Sequence, residues 1–320
     1  MPTRLKVFST RRLPRAVEQK LRELTEIEFG DDERDYSADD IVAAAKGRDV
    51  LVVTLMEPVT AEVTKRFPET IKLVSTVSAG TDHLDVKALT ARGIGVSNTP
   101  GAVTDTTAEI AMLLILGAAR RAREGLAMVE QDRWRGWRPT QLLGLGLSGA
   151  KLGLIGCGRI GQAVATRAAA FGMEVHYHGP REVSGAEAKF HARLETMLEI
   201  CDVVSLHCPS TPATRGLIDE EHLALCKSGV IIVNTARGDL VNDDALIAAL
   251  KSGHVAAAGL DVFSGEPQLH ATYRSLPNVF ALPHLGTATE EARTAMGMLV
   301  VDNIVAHADG KPLPNAVKPR

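Results

Sequence analysis

The sequence predicts an α/β protein built from two doubly wound parallel-sheet domains with a cleft between them. Its 320 residues leave room for about two domains at roughly 150 residues each. Short apolar runs alternate with amphipathic stretches along most of the chain, a β-α-β rhythm that is typical of a parallel sheet with helices on both faces. A second run of this kind begins at residue 151 and predicts the second sheet.

The first run predicts a small sheet with intervening helices. Ser37 is a predicted N-cap, and Asp39 and Asp40 follow in the first turn, where the helix dipole favours negative charge. The predicted strands are residues 5–8, 50–53, 72–75 and 94–97, and the predicted helices are residues 14–24, 38–46 and 85–92.

The second run predicts a larger sheet, preceded by an unusual helix. Residues 104–123 predict one long apolar helix that is buried nearly all round, as at a seam between domains, and residues 133–149 predict an irregular segment. Six strands is the count of a full dinucleotide-binding sheet. The predicted strands are residues 152–155, 174–177, 203–206, 230–234, 256–260 and 279–281, with helices at 160–171 and 289–307.

Composition excludes several classes of protein. A net charge of −3 argues against a nucleic-acid partner and against a membrane surface selected by charge. No apolar stretch has the length of a signal peptide or of a membrane span. The cysteines match no paired zinc spacing and fit free thiols in a reducing compartment; they are Cys157, Cys201, Cys208 and Cys226. We therefore expect a cytoplasmic protein without a metal site.

A glycine motif predicts the cofactor site. Gly156, Gly158 and Gly161 match G-x-G-x-x-G directly after a predicted strand and at the start of a predicted helix, with Arg159 and Ile160 between them. The first glycine permits a tight turn, the second lets the backbone approach a pyrophosphate, and the third lets the helix pack on the strand. The pattern predicts a Rossmann-like dinucleotide site with the phosphates at the helix N-terminus.

The end of the following strand predicts the nucleotide. NAD-binding proteins place an Asp or Glu about 20 residues after the glycines, to bond the ribose 2′-hydroxyl. His178 stands there instead, and Arg181 beyond the turn can offer a charge-assisted fork to a phosphate. We expect NADP, with NADPH preferred over NADH. The alternative is that Arg181 is a solvated loop residue and that NAD binds equally well.

Three polar residues follow successive strands of the second sheet. Arg237 comes after the strand at 230–234, Glu266 after the strand at 256–260 and His284 after the strand at 279–281. Catalytic groups in doubly wound folds lie at the carboxyl ends of the strands, so these side chains can converge.

With these residues in place, the chain resembles the D-isomer-specific 2-hydroxyacid dehydrogenases over essentially its whole length. Residues 77–85 look like the substrate-carboxylate loop of that family, and residues 98–101 and 104–109 look like its domain-crossing segment. Arg237, Glu266 and His284 fall on its Arg-Glu-His triad. Residues 134–139 and 283–289 are most similar to the glyoxylate/hydroxypyruvate reductases of the family.

The reaction that the resemblance implies assigns a role to each catalytic residue. A 2-oxo acid must receive hydride at C2 and a proton on its carbonyl oxygen. His284 would supply the proton, and Glu266 would bond the far ring nitrogen and favour the imidazolium. Arg237 would hold the carboxylate and polarise the carbonyl. Backbone N–H groups at Ser78, Ala79 and Gly80 would take the other carboxylate oxygen.

The resemblance also implies further contacts. Asp261 would bond the nicotinamide carboxamide, and Leu55 and Met56 would line the substrate pocket, although both could equally be core residues. The remaining cofactor contacts implied by the family are Thr104, Thr235 and Ala236.

These observations together predict an NAD(P)H-dependent reductase of small 2-oxo acids, converting glyoxylate to glycolate and hydroxypyruvate to D-glycerate. We expect a substrate domain of residues 1–100 plus 287–320, a cofactor domain of residues 101–286, and a homodimer formed through the apolar segment from Thr104. One alternative is a reductase of another 2-oxo acid such as phenylpyruvate. The other is a nucleotide-sensing, corepressor-like binding protein.

Overall fold

The computed structural model describes residues 4–319, and the chain divides into two compact units. The first unit is Met1–Val103 with Ala288–Arg320, and the second is Thr104–Thr287. The strands are β1 Lys6–Ser9, β2 Glu26–Phe29, β3 Val50–Val53, β4 Leu73–Thr76, β5 Gly95–Ser97, β6 Lys151–Ile155, β7 Glu174–His178, β8 Lys189–His191, β9 Val203–Leu206, β10 Val230–Asn234, β11 Val255–Leu260 and β12 Val279–Ala281. The helices are α1 Arg15–Leu24, α2 Ala38–Ala44, α3 Ala61–Lys65, α4 Val86–Ala91, α5 Thr104–Ala119, α6 Ala122–Glu130, α7 Arg159–Ala170, α8 Leu194–Leu198, α9 Glu220–Leu225, α10 Asp243–Ser252, α11 Ala271–Ser275 and α12 Glu290–Ala308.

The first unit is a five-stranded parallel sheet in the order β2-β1-β3-β4-β5. Successive residues of β3 point to opposite faces, and both faces are covered. Leu51 and Val53 pack in one hydrophobic cluster, whereas Val50 and Val52 pack in another with residues of α1 and α12. Ser37 caps α2 as predicted, since its hydroxyl accepts the Asp40 N–H.

The second unit is a seven-stranded parallel sheet in the order β12-β11-β10-β9-β6-β7-β8. It also buries one hydrophobic cluster on each face. The order reverses between β6 and β9, which is the switch point where doubly wound sheets bind ligands. Two parallel sheets with helices on both faces confirm the predicted α/β class.

The apolar helix is buried by its own unit. Helix α5 packs against α7, β10 and β11. Gly259 in β11 permits this contact, because a β-carbon there would lie 2.9 Å from the backbone oxygen of Leu114. The predicted single helix over 104–123 was wrong. It ends at Ala119, because Arg121 adopts a left-handed φ of 52° that breaks the helix before α6.

The sequence patterns did not predict β2, α3, α6 and β8, and they set no bounds for the helices between the later strands of the larger sheet, which are α8, α9, α10 and α11. The larger sheet therefore has seven strands and not six. The irregular segment at 133–149 is confirmed, since it forms no helix or strand. Between residues 4 and 319, no helix is both long and apolar enough to cross a membrane.

Candidate active site

His284 and Glu266 form a direct pair. The His284 Nδ1 atom lies 2.7 Å from Oε2 of Glu266, and the other carboxylate oxygen accepts the Phe263 N–H at 2.7 Å. A carboxylate only accepts, so Nδ1 carries a proton and Nε2 is the ring nitrogen left to exchange one with a substrate. Both side chains are partly buried. The pairing places two of the three predicted catalytic residues together.

The backbone of His284 is held in a left-handed conformation with a φ of 54°. Asp261 fixes this turn: its backbone oxygen accepts the His284 N–H at 2.9 Å, and its carboxylate accepts the N–H groups of Leu285 at 2.6 Å and Gly286 at 2.8 Å. Burial raises the pKa of Asp261, although the two backbone donors oppose that shift. Each carboxylate oxygen keeps a second lone pair for an amide donor.

Arg237 follows β10 on a turn shaped by Asn234. The buried Asn234 side chain accepts the Ala236 N–H at 2.9 Å and donates to the Arg237 carbonyl at 2.8 Å. Gly238 comes next and lies directly on the loop after β11, because a β-carbon there would stand 1.9 Å from the Phe263 carbonyl carbon. The loop that carries Arg237 therefore rests on the loop that carries Glu266.

The glycine turn has the geometry that its motif predicts. Gly156 has a φ of 101°, and a β-carbon on Gly161 would lie 2.3 Å from the Gly156 oxygen. Gly158 caps α7, and a β-carbon there would meet no protein atom within 4 Å. Arg159 is exposed and Ile160 is half-buried at the first turn of α7. The turn thus leaves open space in front of a helix N-terminus, which suits a pyrophosphate.

Two buried polar atoms at neighbouring strand ends also fit a bound dinucleotide. Among the described residues, Thr235 Oγ1 and His207 Nδ1 have no hydrogen-bond partner. They lie just after β10 and β9, at the carboxyl edge of the sheet. Buried polar atoms are normally bonded, so these two fit an edge that receives a ligand. Ala236 is half-buried beside Thr235, and Thr104 is the first residue of α5.

The end of β7 carries His178 and is followed by Arg181. His178 is half-buried, and its Nδ1 lies 3.0 Å from the backbone oxygen of His191 in β8. The Tyr177 hydroxyl accepts the Val183 N–H at 2.8 Å and so closes the loop that presents the exposed Arg181. The strand end carries no carboxylate at position 178.

The first unit holds the remaining predicted residues. The Ser78 hydroxyl donates to the Gly80 carbonyl at 2.6 Å, and the Asn98 side chain donates to the Ala79 carbonyl at 2.7 Å. Thr76 Oγ1 lies 2.8 Å from Ser78 Oγ. The loop at 78–80 is therefore held by hydrogen bonds that its backbone carbonyls accept from side chains.

Leu55 and Met56 lie on a turn after β3, with Leu55 exposed and Met56 half-buried, so neither is a core residue. The fully buried carboxylate of Glu57 shapes this turn. It accepts the Thr54 N–H at 2.8 Å and pairs with the Arg11 guanidinium at 2.8 Å.

Sequence reasoning missed four residues that shape the site: Asn234, Gly238, His207 and Glu57. A signal was present for Gly238, since a glycine directly after a candidate catalytic residue indicates a close backbone approach. The other three depend on contacts between distant strand ends, which a single sequence does not show. No group of three or more His, Cys, Asp or Glu side chains in the described part of the chain is arranged to hold a metal.

Comparison with known proteins identifies relatives over nearly the whole chain. The sequence model of the D-isomer specific 2-hydroxyacid dehydrogenase NAD-binding domain matches residues 112–286. A glycerate dehydrogenase of Hyphomicrobium methylovorum is 43% identical over 306 residues, covering 94% of this chain and 95% of that protein. A glyoxylate reductase of Thermococcus litoralis is 40% identical, covering 98% of this chain and 96% of that protein.

A solved structure agrees with these relatives. An NADPH-dependent glyoxylate/hydroxypyruvate reductase from Sinorhizobium meliloti, in complex with NADP and malonate, superposes with a TM-score of 0.88 at 31% identity, covering 98% of this chain and 97% of that chain.

Fold and site thus define an oxidoreductase with a dinucleotide-binding sheet. The chain belongs to the D-isomer specific 2-hydroxyacid dehydrogenase family, and its activity is that of an NAD(P)-dependent D-2-hydroxyacid dehydrogenase acting on 2-oxo acids.

Proposed function

We propose that the protein reduces glyoxylate to glycolate and hydroxypyruvate to D-glycerate, with NADPH as the preferred reductant. The bound nucleotide supplies hydride to C2 of the 2-oxo acid. The observation that carries the proposal is the 2.7 Å contact between His284 Nδ1 and Glu266, which leaves Nε2 as the proton donor for the carbonyl oxygen. Relatives named glyoxylate reductase and glycerate dehydrogenase support these substrates.

The other residues bind and orient the substrate in this proposal. Arg237 holds the substrate carboxylate and polarises its carbonyl through forked hydrogen bonds. The backbone amides of Ser78, Ala79 and Gly80 bind the second carboxylate oxygen, since the carbonyls of this loop are already engaged. Leu55 and Met56 supply apolar contacts to a small substrate.

The same proposal assigns the nucleotide contacts. The pyrophosphate binds at Gly156, Gly158 and Gly161 on the N-terminus of α7. The Asp261 carboxylate accepts a hydrogen bond from the nicotinamide carboxamide. Arg159, Ile160, Thr104, Thr235 and Ala236 complete the contacts. Open space at Gly158 and the unpartnered Thr235 hydroxyl support this assignment.

The preference for NADPH rests on the end of β7. Position 178 has a histidine and therefore no carboxylate that would repel a 2′-phosphate. Arg181 is exposed on the loop that follows. The Sinorhizobium relative is NADPH-dependent and was solved with NADP. An Arg–phosphate contact contributes on the order of 1.5–3 kcal/mol.

The predicted interface on the apolar segment from Thr104 loses its main argument, because that segment is α5 and packs within its own unit. The homodimer is instead supported by apolar side chains that are exposed on α6 and on the irregular segment after it. Trp137 is 82% exposed, and Leu126, Val129, Trp134 and Leu143 are also exposed. The Gln141 amide donates to the Met128 sulfur at 3.0 Å, and the Arg121 guanidinium donates to the Leu143 carbonyl at 3.4 Å. The irregular segment therefore folds back against α6. Apolar groups concentrated in this way are typical of a subunit interface.

The decisive experiment is a steady-state assay of NADPH oxidation with glyoxylate, hydroxypyruvate and phenylpyruvate. We expect the highest kcat/KM for glyoxylate or hydroxypyruvate. A clear preference for phenylpyruvate would reassign the substrate. Absence of turnover on all three, with nucleotide still bound, would favour a nucleotide-sensing binding protein.

A further inference from the structure

We infer that Glu57 is a positioning residue that sets the size selectivity of the proposed substrate pocket, and that it acts through the turn that carries Leu55 and Met56. The inference deepens the proposed function and rests on it, because that function takes these two side chains as walls of the pocket. It assigns a role to a buried ion pair that the proposed reaction does not use.

Residues 54–57 form a tight turn directly after β3. The Glu57 N–H donates to the Thr54 carbonyl at 3.3 Å, so Leu55 and Met56 are the two central residues of the turn. Leu55 is exposed and Met56 is half-buried, whereas Glu57 is fully buried. The turn therefore carries two apolar side chains at the carboxyl edge of the five-stranded sheet and ends in a buried carboxylate.

The Glu57 carboxylate holds the turn through two atoms of Thr54. Oε2 accepts the Thr54 N–H at 2.8 Å and the Thr54 hydroxyl at 2.9 Å. The Thr54 hydroxyl oxygen accepts the Met56 N–H at 3.3 Å. A threonine hydroxyl has one proton to donate and lone pairs to accept with, so it can make both contacts at once. The backbone of Met56 is thus tied to Glu57 through Thr54.

Glu57 is itself held by the two residues that follow β1. The Thr10 hydroxyl donates to Oε2 at 2.8 Å, and two guanidinium nitrogens of Arg11 lie 2.9 Å and 2.8 Å from Oε1. The third nitrogen of Arg11 donates to the Asp32 carbonyl, and the guanidinium lies 5.5 Å from the centroid of the Tyr36 ring. A buried charge is tolerated when it is paired and fully hydrogen-bonded, as this one is. The ion pair therefore ties the turn after β3 to the neighbouring strand end.

The chain beyond the turn is bonded to the loop at 78–80. The Val59 N–H donates to the His83 carbonyl at 2.8 Å, and His83 Nε2 lies 2.9 Å from Thr76 Oγ1. Thr76 Oγ1 also lies 2.8 Å from Ser78 Oγ. A disturbance carried to this loop would weaken the carboxylate contact equally for every 2-oxo acid. A shift of the turn alone would instead change binding according to the size of the ligand.

Glu57→Gln removes the charge and keeps the shape of the side chain. Five N–H and O–H donors surround the Glu57 carboxylate. An amide nitrogen donates and does not accept, so some of these donors lose their acceptor in the variant. The turn can then shift to admit a bulky group beyond C2 of the ligand, because the bonds that fix Leu55 and Met56 are weakened.

The experiment measures the binding of oxamate and of its N-phenyl derivative, oxanilate, by calorimetry at saturating NADPH. Both imitate a 2-oxo acid but cannot be reduced, and they differ only by the phenyl ring. We expect the ratio of dissociation constants, oxanilate over oxamate, to fall on the order of tenfold in Glu57→Gln, because a fixed pocket rejects the larger ligand more strongly than a yielding one. The dissociation constant of NADPH should not change, since Glu57 lies in the unit without the glycine turn.

A second variant keeps the ion pair and breaks only the link to Met56. Thr54→Val has nearly the shape of threonine but no hydroxyl, so it should lower the same ratio while Glu57 stays paired with Arg11. In a Leu55→Ala/Met56→Ala background, Glu57→Gln should change the ratio no further, because the side chains through which it acts are gone.

Glu18→Gln is the matched control. Glu18 is mostly buried in the same unit and pairs with the Arg12 guanidinium through two hydrogen bonds of 2.6 Å, but it lies on α1. Glu18→Gln and Glu57→Gln should both lower the melting temperature, and only Glu57→Gln should change the ratio.

An unchanged ratio in Glu57→Gln and Thr54→Val overturns the inference, and so does a change that Glu18→Gln reproduces or that persists in the Leu55→Ala/Met56→Ala background. Equal weakening of both ligands assigns the effect to the carboxylate contact and rejects the selectivity role. If Glu57→Gln does not fold, the ratio in Thr54→Val decides. Failure of the wild-type protein to bind either ligand rejects the pocket and the inference with it. A protein that shows the expected ratios but reduces no 2-oxo acid rejects the proposed function and supports the inference.

Discussion

His284 combines a chemical role with an unusual backbone. A non-glycine residue at a φ of 54° costs on the order of 1–3 kcal/mol, and such strain persists only where neighbours over-determine the conformation. Here three backbone N–H groups, of His284, Leu285 and Gly286, all bond to Asp261. The buried aspartate therefore sets the direction in which the imidazole leaves the chain.

The first prediction tests His284 as proton donor. His284→Gln should lower kcat by about 10²–10⁴-fold, because an amide cannot donate a proton to the carbonyl oxygen. Nucleotide dissociation constants should not change. His222→Gln on α9 is the control and should keep wild-type kcat. A variant of His284 with near-normal kcat would remove this residue from the chemistry.

The second prediction concerns Arg181. Arg181→Ala should raise KM for NADPH by roughly ten- to a hundredfold and leave KM for NADH nearly unchanged, because only NADPH has a phosphate for the guanidinium to bond. Arg193→Ala, another exposed arginine of the same unit, should change neither constant. Wild-type kcat/KM that clearly favours NADH on glyoxylate would contradict the assignment.

The third prediction is a pH dependence of stability. Burial lowers the pKa of His207 to about 4, from 6.5 in an unfolded chain. Below pH 6.5 the His207 imidazole binds a proton in the unfolded state but not in the folded state, so the free energy of unfolding decreases as the pH falls. The free energy of unfolding, measured with urea, should fall between pH 7.5 and pH 5 in both proteins. The fall should be about 2 kcal/mol smaller in His207→Gln than in the wild-type protein. Equal losses in both would show that His207 does not resist protonation in the folded state.

At the scale of elements, the sequence predicted best where a strand is an uninterrupted apolar run. The strands β3, β9, β10 and β12 have the predicted bounds. The missed strands β2 and β8 are each one edge of their sheets and read Glu-Ile-Glu-Phe and Lys-Phe-His. Their charged and polar residues break the apolar run that would mark a strand, which an edge strand tolerates because it is paired on one side only. The opposite edge strand β12 reads Val-Phe-Ala and was predicted from its apolar run. The break after α5 depends on one left-handed residue, Arg121, which composition does not mark.

In the site, too, local sequence patterns predicted some features and left others undetermined. The motif residues at Gly156, Gly158 and Gly161 were predictable because local spacing alone defines a turn before a helix. The pairing of Glu266 with His284 was predictable from successive strand ends. The orientation of each ring was not, because it depends on Asp261, on the Phe263 amide and on His191, which meet the site across the sheet.

The fourth prediction separates the two functions of the glycine turn. Gly158→Ala should fold with an unchanged melting temperature, since its β-carbon meets no protein atom within 4 Å. It should weaken NADPH binding, because in the proposed function that carbon would stand where the pyrophosphate approaches. Gly161→Ala is the contrast: its β-carbon would lie 2.3 Å from the Gly156 oxygen and should destabilise the fold by about 1–3 kcal/mol. Unimpaired NADPH binding by Gly158→Ala would place the pyrophosphate elsewhere.

At the scale of the whole molecule, each unit has a hydrophobic core of its own. Every hydrophobic cluster formed by the described residues lies within one unit, with one cluster on each face of each sheet. Neither unit needs α6 to complete a core, because α6 has no buried residue. Folding of the monomer therefore does not explain the exposed apolar side chains on that helix, which is the ground for the proposed dimer.

The last prediction tests that association. Leu126 and Val129 lie one turn apart on α6, 58% and 67% exposed, so replacing both with aspartate puts charge on the proposed interface without opening a core. We expect light scattering at micromolar concentration to give twice the 34.2 kDa chain mass for the wild-type protein and the chain mass for Leu126→Asp/Val129→Asp. Leu24→Asp, at an isolated exposed leucine of α1, should remain dimeric. A monomeric wild-type protein would refute the dimer outright. A double variant that stays dimeric would move the interface away from α6, because two carboxylates buried without partners would cost several kcal/mol.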